Sequence, residues 1–388
     1  HYISPSTQFR NSGSVGATLF GAPSPNTDGG DAGQAAIVPN AYFAMDWSPT
    51  TRIGVGINVP FGLSTEYASD WIGRFQGIRS ELMTVNINPA VSWKLNNSTA
   101  LAIGLNYQSI DAELTSKTNY AAAVFNGVLA GGGGVGAATA AAAGVAAAGQ
   151  AEGLTTLDGD DTAWGWNAGL MFTLSPQTRF GVAYRSRIKY SLEGRVRFEN
   201  RPAALAAAAP DGNIKLDVSM PDNLSFAISH ALNDRLQLLA DLSWTGWNVL
   251  NKLEVIRTSN VPAGGAALQN IPYNWRNTWR IGAGVNYRMN SAWTLKGGIA
   301  YDQTPTNDAD RGVRLPDSDR TWLSIGAKYS ISPVATLDVG YAHLFVKDAS
   351  INSNASGVNQ NSTAAFALVK GNYDASVDIL SVQYSHRF

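Results

Sequence analysis

Four histidines, at positions 1, 230, 343 and 386, are the only imidazoles in a chain of 388 residues that has no cysteine. A hydrolytic or metal centre needs a histidine beside a nucleophile, a carboxylate or a second ligand. His343 and His386 fall on the outward parity of alternating segments, and His230 ends a strand beside a short turn without such a neighbour in sequence. The chain therefore reads as a non-enzyme, with no metal and no cofactor expected. Its charged residues suit a different role. Arg185, Arg187 and Lys189 share one parity, and Asp241, Asp302, Asp317 and Asp319 are available to balance them. Most of these are expected to form structural ion pairs along a wetted inner surface.

The stretch Asn58-Val59-Pro60-Phe61-Gly62-Leu63-Ser64-Thr65-Glu66-Tyr67 offers something else. It follows Ile53-Gly54-Val55-Gly56-Ile57, which alternates as a β-strand does. Proline brings no N–H to a ladder and glycine favours a bend, so a strand carrying Pro60 and Gly62 is expected to leave its neighbour there. In a closed barrel that defect is a candidate hole in the wall. An ordinary bulge at the top of a strand is the competing reading.

The elements that position these residues are strands. Leu236, Leu238, Ala240, Leu242 and Trp244 lie on one parity, with Gln237, Asp241, Ser243 and Thr245 on the other. Trp279, Ile281, Ala283, Val285 and Tyr287 repeat the pattern, as do Trp293, Leu295, Ile299 and Tyr301. Each is a segment of about ten residues with one lipid-compatible face, the length that a tilted strand needs to cross a bilayer. Short polar turns near 48–51, 96–99, 175–178, 233–234, 290–291 and 332–333 alternate with long connections near 11–33, 68–79, 115–162, 198–213, 259–275, 305–316 and 352–368. Six short turns and seven long connections predict an all-β transmembrane antiparallel barrel of about 14 strands, one domain over residues 1–388, with both ends on the short-turn side.

Composition agrees. Apolar residues make up 45% and charged residues 15%, with a net charge of −1, whereas a typical soluble chain is about 25% charged. No run of about 18 strongly apolar residues is present, so a spanning helix is not expected. A near-neutral chain without a basic block gives nucleic acid no footing. Absence of cysteine suits an exported chain, and His1-Tyr2-Ile3 carries no signal sequence, so any secretion signal is expected to have been removed. A soluble β-sandwich also alternates, but it gives no reason for Trp47, Trp93, Trp164, Trp244, Trp279, Trp293 and Trp322 to collect near turns and loop junctions, as an interfacial girdle does. Leu380, Val382, Tyr384, His386 and Phe388 close the chain on one apolar parity. That ending looks like the assembly signal of outer-membrane barrels, which makes the barrel assembly machinery an expected partner through Phe388 and outer-membrane lipid the expected surroundings.

Residues 121–152, inside the long connection 115–162, are dominated by Ala and Gly. Alanine forms helices well, so one or two short helices are expected in this longest external loop. The second alanine-rich stretch, 203–209, is placed to pair with it.

Four stretches resemble the FadL family of outer-membrane transporters for long-chain fatty acids and other hydrophobic compounds. They are Phe61-Gly62-Leu63-Ser64-Thr65-Glu66-Tyr67, Trp164-Gly165-Trp166-Asn167-Ala168-Gly169, Tyr184-Arg185-Ser186-Arg187-Ile188-Lys189 and Leu315-Pro316-Asp317-Ser318-Asp319-Arg320-Thr321-Trp322. The resemblance implies uptake by lateral diffusion through a kink in the third strand, here about 52–67, with Pro60, Phe61 and Gly62 as the lateral gate. It implies capture between the third and fourth external loops, where Phe125, Val128, Leu129, Leu154 and Leu205 are the candidates. It implies a basic head-group residue at Arg276, on the inward parity of its segment, and a second near Lys117. Family members begin with a plug that carries an Asn-Pro-Ala motif. This sequence starts at what looks like the second half of the first strand, so the plug is expected to be missing from it. A long-chain fatty acid is the expected substrate. A channel for uncharged monoaromatic hydrocarbons and a porin or adhesin are the alternatives.

Overall fold

The computed structural model describes residues 1–17, 27–259, 265–354 and 363–388, so parts of the connections 11–33, 259–275 and 352–368 lie outside the described residues. Its strands form one antiparallel sheet of 21 segments. Seven of them continue a neighbour past a bulge or break, which leaves fourteen staves among the described residues. The first seven are β1 (Tyr2–Asn11), β2 (Ala41–Ser48, preceded by Ala36–Ile37), β3 (Thr51–Asn58 and Gly62–Glu66), β4 (Arg79–Lys94), β5 (Thr99–Asn119), β6 (Glu152–Thr173) and β7 (Thr178–Arg185 and Ile188–Phe198). The others are β8 (Gly212–Met220 and Asn223–Ala231), β9 (Leu236–Thr245 and Lys252–Arg257), β10 (Ala266–Pro272 and Thr278–Arg288), β11 (Trp293–Asp302), β12 (Arg320–Ser332), β13 (Ala335–Val346 and Ala349–Ser353) and β14 (Val369–His386).

Each stave pairs with the next, and β14 returns to β1 from Tyr2↔Leu380 to Asn11↔Gly371. Closure matters because hydrocarbon offers no water to an unpaired N–H or C=O. The short turns fall where the sequence places them. Three are built alike: Asn96, Asn233 and Asn290 each accept, on Oδ1, the N–H of the residue two positions on, at 2.9 Å. This side-chain mimicry of a backbone turn is why asparagine recurs there.

The outer face is apolar and exposed, as at Ile103, Leu105, Trp164, Ile281, Ile325 and Val382. Rings pair across strands on that face, Tyr107 with Trp164 at 4.9 Å and Trp293 with Tyr329 at 4.7 Å. Trp322 departs from the expected girdle. Its neighbours Leu323 and Ile325 are the exposed ones, whereas Trp322 pairs with Ala300 and with Leu344, which is buried, so its ring faces inward.

β5 and β6 run for 21 and 22 residues, about twice what a membrane strand requires. They carry the wall outward, so the longest loop is only 120–151, shorter than the expected 115–162. It holds α1 (Tyr120–Ala130) and α2 (Val135–Ala147), packed together as a hairpin. Asn119 caps α1 by accepting the Ala122 N–H at 2.9 Å. The reversal between the helices uses Gly132 at φ +85°, and a Cβ on Gly133 would sit 2.5 Å from the Val128 side chain. A 3-10 turn, Ala203–Leu205, in the second alanine-rich stretch contacts α1.

Two further loops fold into the mouth. Tyr67 stacks on Trp71 at 4.0 Å, Phe9 meets Trp71 edge-on, and Val313, Ile351, Val369 and Tyr373 complete a buried cluster. Hydrogen bonds lock it: Trp71 Nε1 donates to Gly77 O at 2.9 Å and the Tyr67 hydroxyl to Val313 O at 2.7 Å. Arg74, 3% exposed at its side chain, pairs with Glu152 at 2.7 Å. This side of the mouth is closed by a solid core.

Candidate functional site

The inner surface is divided. On β9 to β13 it is a ladder of ion pairs: Arg280 with Asp241 at 2.9 Å, Arg320 with Asp302 at 3.0 Å and with Asp317 at 3.3 Å, and Asp338 with Lys296 at 2.5 Å and Lys328 at 3.8 Å. Such pairs are at home in a wetted lumen and are poor company for an apolar solute.

On β4 to β9 the upper inner surface is apolar instead. Leu157, Val196, Ile214 and Val255 form a buried cluster joined by Leu114, Phe198, Leu253 and Leu268. Ile110, Ile188, Tyr190, Leu192 and Met220 form a second, joined by Phe61, Leu82, Ala112, Leu216 and Val218. A cavity of about 30 Å³ lies between them, lined from both by Leu114, Leu157, Leu192, Ile214, Leu216 and Val255. The two clusters thus make one apolar track. Close approach of the strands along it requires glycine at Gly194, where a Cβ would lie 1.8 Å from Asp158 O. At its outer end Phe198 leads directly into the loop bearing Leu205; at its inner end is Phe61.

Phe61 belongs to the predicted strand defect. Asn58 pairs with Asn86 and Gly62 with Met83, so three residues, Val59, Pro60 and Phe61, face two, Thr84 and Val85. That one-residue excess is a bulge that reverses the parity of β3. Thr84, fully buried, fastens it: its hydroxyl accepts the Phe61 N–H at 3.0 Å and donates to Phe61 O at 2.9 Å, and its own N–H donates to the same oxygen at 3.1 Å. The Phe61 ring points inward and meets Trp247 edge-on at 5.7 Å, so it lines the inner side of the defect.

The wall is open beside this bulge. β2 and β3 pair as far as Ala41↔Ile57 and meet again only at Gly33↔Thr65 and at the Glu66 N–H to Ala32 O bond of 3.0 Å. Between these points residues 34–40 and 58–64 share no backbone hydrogen bond, because Ala36–Ile37 turns to pair with β1. Seven unpaired residues leave a slit about 20 Å long.

Below the apolar track runs a belt of amides. Asn86 Nδ2 donates to Asn58 Oδ1 at 3.0 Å and to Asn106 Oδ1 at 3.2 Å, and Asn106 Nδ2 and Asn88 Nδ2 donate to Asn167 Oδ1 at 3.2 and 2.6 Å. Sequence reasoning missed Thr84 and this belt, since nothing local marks polar residues that meet only through strand register.

Several expected site residues fall elsewhere. Arg185 does face the lumen, paired in register with Asn167. The break at Ser186-Arg187 then flips the strand, so Ile188, Tyr190 and Leu192 are buried inward and Lys189 is exposed on the opposite parity. Arg187 lies in the break and pairs with Asp222 at 3.5 Å. Asp317 serves Arg320 rather than these cations, and Asp319 accepts from the Tyr301 hydroxyl and the Thr304 N–H at 2.8 Å. Arg276 precedes the β10 segment that begins at Thr278, so strand parity does not govern it. It is 61% exposed at its side chain, donates to Thr304 O at 3.3 Å, and lies 3.9 Å from Asp319. Lys117 and Leu154 are direct cross-strand partners, on the face opposite Leu114 and Leu157. Phe125, Val128 and Leu129 lie on α1, which touches both the 3-10 turn of Leu205 and β6. His343 sits on the outer face with Asp378, 2.8 Å away, and among the described residues no group of three or more metal-ligating side chains is present.

Residues 2–388 match a family described as outer membrane protein transport protein (OMPP1/FadL/TodX). A putative outer membrane protein of Neisseria meningitidis serogroup B is 29% identical over 96% of this chain and 82% of its own length. The long-chain fatty acid transport protein of Escherichia coli K12 is 27% identical over 82% of this chain and 72% of its own. Among solved structures, a Pseudomonas aeruginosa FadL homologue superposes with a TM-score of 0.84 at 23% identity, covering 99% of this chain and 88% of that one. The toluene transporter TodX of Pseudomonas putida does so at 0.66 and 14% identity, covering 100% and 88%. At these identities the structural likeness is one of fold.

Proposed function

The chain belongs to the OMPP1/FadL/TodX family of outer-membrane transporters of hydrophobic compounds, and we propose that it takes up long-chain fatty acids and releases them sideways into the membrane through the slit between β2 and β3. The observation that carries this reading is the coincidence of three features at Phe61: the inner end of the apolar track, the bulge, and the unpaired wall. A solute that follows the track meets the amide belt below and the ion-pair ladder opposite. Moving an alkyl chain from an apolar surface into such wet surroundings costs about 0.8 kcal/mol per CH₂, so a sixteen-carbon chain faces a barrier on the order of 10 kcal/mol downward and little sideways. Capture belongs to α1 and the loop after β7, where Phe125, Val128, Leu129 and Leu205 adjoin the outer end of the track.

The test is uptake of labelled oleate and of toluene by cells that lack their own transporter and express the full-length protein with or without Pro60. Oleate should enter only when Pro60 is present. Uptake of toluene alone would assign the protein to hydrocarbons, and a steady ion conductance in a planar bilayer would make it a porin.

A further inference from the structure

β9 and β10 leave the wall together. Their ladder stops at Thr245↔Thr278 and resumes at Lys252↔Pro272. The residues between form two short loops, 246–251 and 273–277, which fasten to each other. Asn251 O accepts the N–H groups of Tyr273 and Asn274 at 2.8 and 2.9 Å, and Asn277 Oδ1 accepts the Asn248 N–H at 3.1 Å. Asn274 turns the second loop at φ +45°, a left-handed conformation that asparagine tolerates better than most residues.

The detour carries two indoles into the interior. Trp247 and Trp275 meet edge-on at 5.2 Å, Tyr273 stacks on Trp275 at 5.0 Å, and Trp247 reaches Phe61. Trp275 is 9% exposed. β3 and β10 stand seven staves apart in a wall of fourteen, so the four rings run from one wall to the opposite one. The Tyr273 end is tied back to the first wall. It lies within electrostatic range of Arg314, whose carbonyl accepts from the Thr65 hydroxyl at 3.2 Å and whose Nη1 donates to Ser80 Oγ at 3.0 Å.

This row stands on a boundary. On one side the Arg280–Asp241 pair joins β10 to β9, two residues after Thr278 and four before Thr245, and Arg276, next to Trp275, lies 3.9 Å from Asp319. On the other side Phe61, Ile188 and Met220 end the apolar track. A hydrated solute that crosses a row of rings sheds water for which the rings offer no replacement, whereas an apolar solute has none to shed.

We propose that Phe61, Trp247, Trp275 and Tyr273 form a septum that shuts the apolar track off from the wetted lumen. Trp247, the ring that meets β3, is the specificity-determining residue, because its removal admits hydrated solutes to the track. The septum goes beyond the uptake reading, since a dry path is kept whichever apolar compound travels along it.

The test places a cysteine at Met220, on the track side, in a chain whose 388 residues have none. Purified full-length protein in detergent is treated with methyl methanethiosulfonate, which is uncharged, or with its sulfonatoethyl analogue, which has the same reactive group and a negative charge. Mass spectrometry of the modified peptide follows each rate, and a cysteine at Ser291 in a polar turn supplies the reference ratio of the two reagents. With Trp247 present the charged reagent should lag at least tenfold beyond that reference. Trp247→Ala should bring the lag to within twofold of the reference, and Trp247→Phe, which keeps a ring, should retain most of it. Heat-dependent migration on a gel identifies folded barrels, and Trp275→Ala breaks the same row if Trp247→Ala does not assemble. A lag that persists in a folded alanine variant, or no lag with both tryptophans present, overturns the septum. Labelling needs no substrate, so failure of oleate uptake would remove the fatty-acid reading and leave this result untouched.

Discussion

Deleting Pro60 removes the bulge that sets β3 one residue out of step with β4. Substituting Pro60 and Gly62 by valine restores N–H groups and β propensity but leaves three residues opposite two, so the bulge persists. Deletion leaves Val59 opposite Val85 and keeps Phe61 on Thr84 and Gly62 on Met83, the register that already holds on either side. The β2-facing edge of β3 can then continue past Ala41↔Ile57. With seven unpaired residues on β2 and six then left on β3, three or four new ladder bonds at about 1 kcal/mol each would stabilise a closed wall by roughly 3–4 kcal/mol. That shifts an open-to-closed equilibrium by a factor of a few hundred. Oleate uptake by the deletion variant should therefore fall at least tenfold, while palmitate binding to the purified barrel, which depends on the track, stays within threefold. Wild-type uptake by a correctly folded deletion variant refutes the reasoning.

Thr84→Val keeps shape but strips the hydroxyl that fastens the bulge, leaving the Phe61 N–H without its acceptor. The local cost should be about 2–3 kcal/mol, read as faster hydrogen exchange at Phe61 than at Ile57. Arg314, 4% exposed in the loop that closes the mouth, donates to Ser80 Oγ and Arg79 O but pairs with no carboxylate among the described residues, and burial lowers its pKa to about 10. The folded state holds this proton less tightly than the unfolded one, so the penalty is present in full below pH 10 and is relieved only as pH rises toward 12.5. At pH 7 Arg314→Met should thus stabilise the barrel by about 1 kcal/mol, the charge penalty of about 3 less two hydrogen bonds; a drop in melting temperature would show that the guanidinium has an acceptor of its own. Gly194→Val places carbon against Asp158 O and should cost more than about 3 kcal/mol by parting β6 from β7, seen as loss of the heat-resistant folded band.

The alternation of two and the turn residues fixed the barrel, its fourteen staves and its six tight turns, because both signals are local: successive side chains of a strand face opposite sides, and Asn96, Asn233 and Asn290 each build a turn from their own neighbours. The proline and glycine of β3 marked the defect for the same reason. Parity, however, propagates only as far as the strand is unbroken. One extra residue at Ser186-Arg187 sends Lys189 outward and Tyr190 inward, and Arg276, ahead of the β10 segment that starts at Thr278, has no parity to read. The unpaired slit, the Thr84 clasp, the apolar track and the amide belt were decided by tertiary structure alone. Each depends on register between strands distant in sequence, where the position of one side chain has meaning only through the one that it faces.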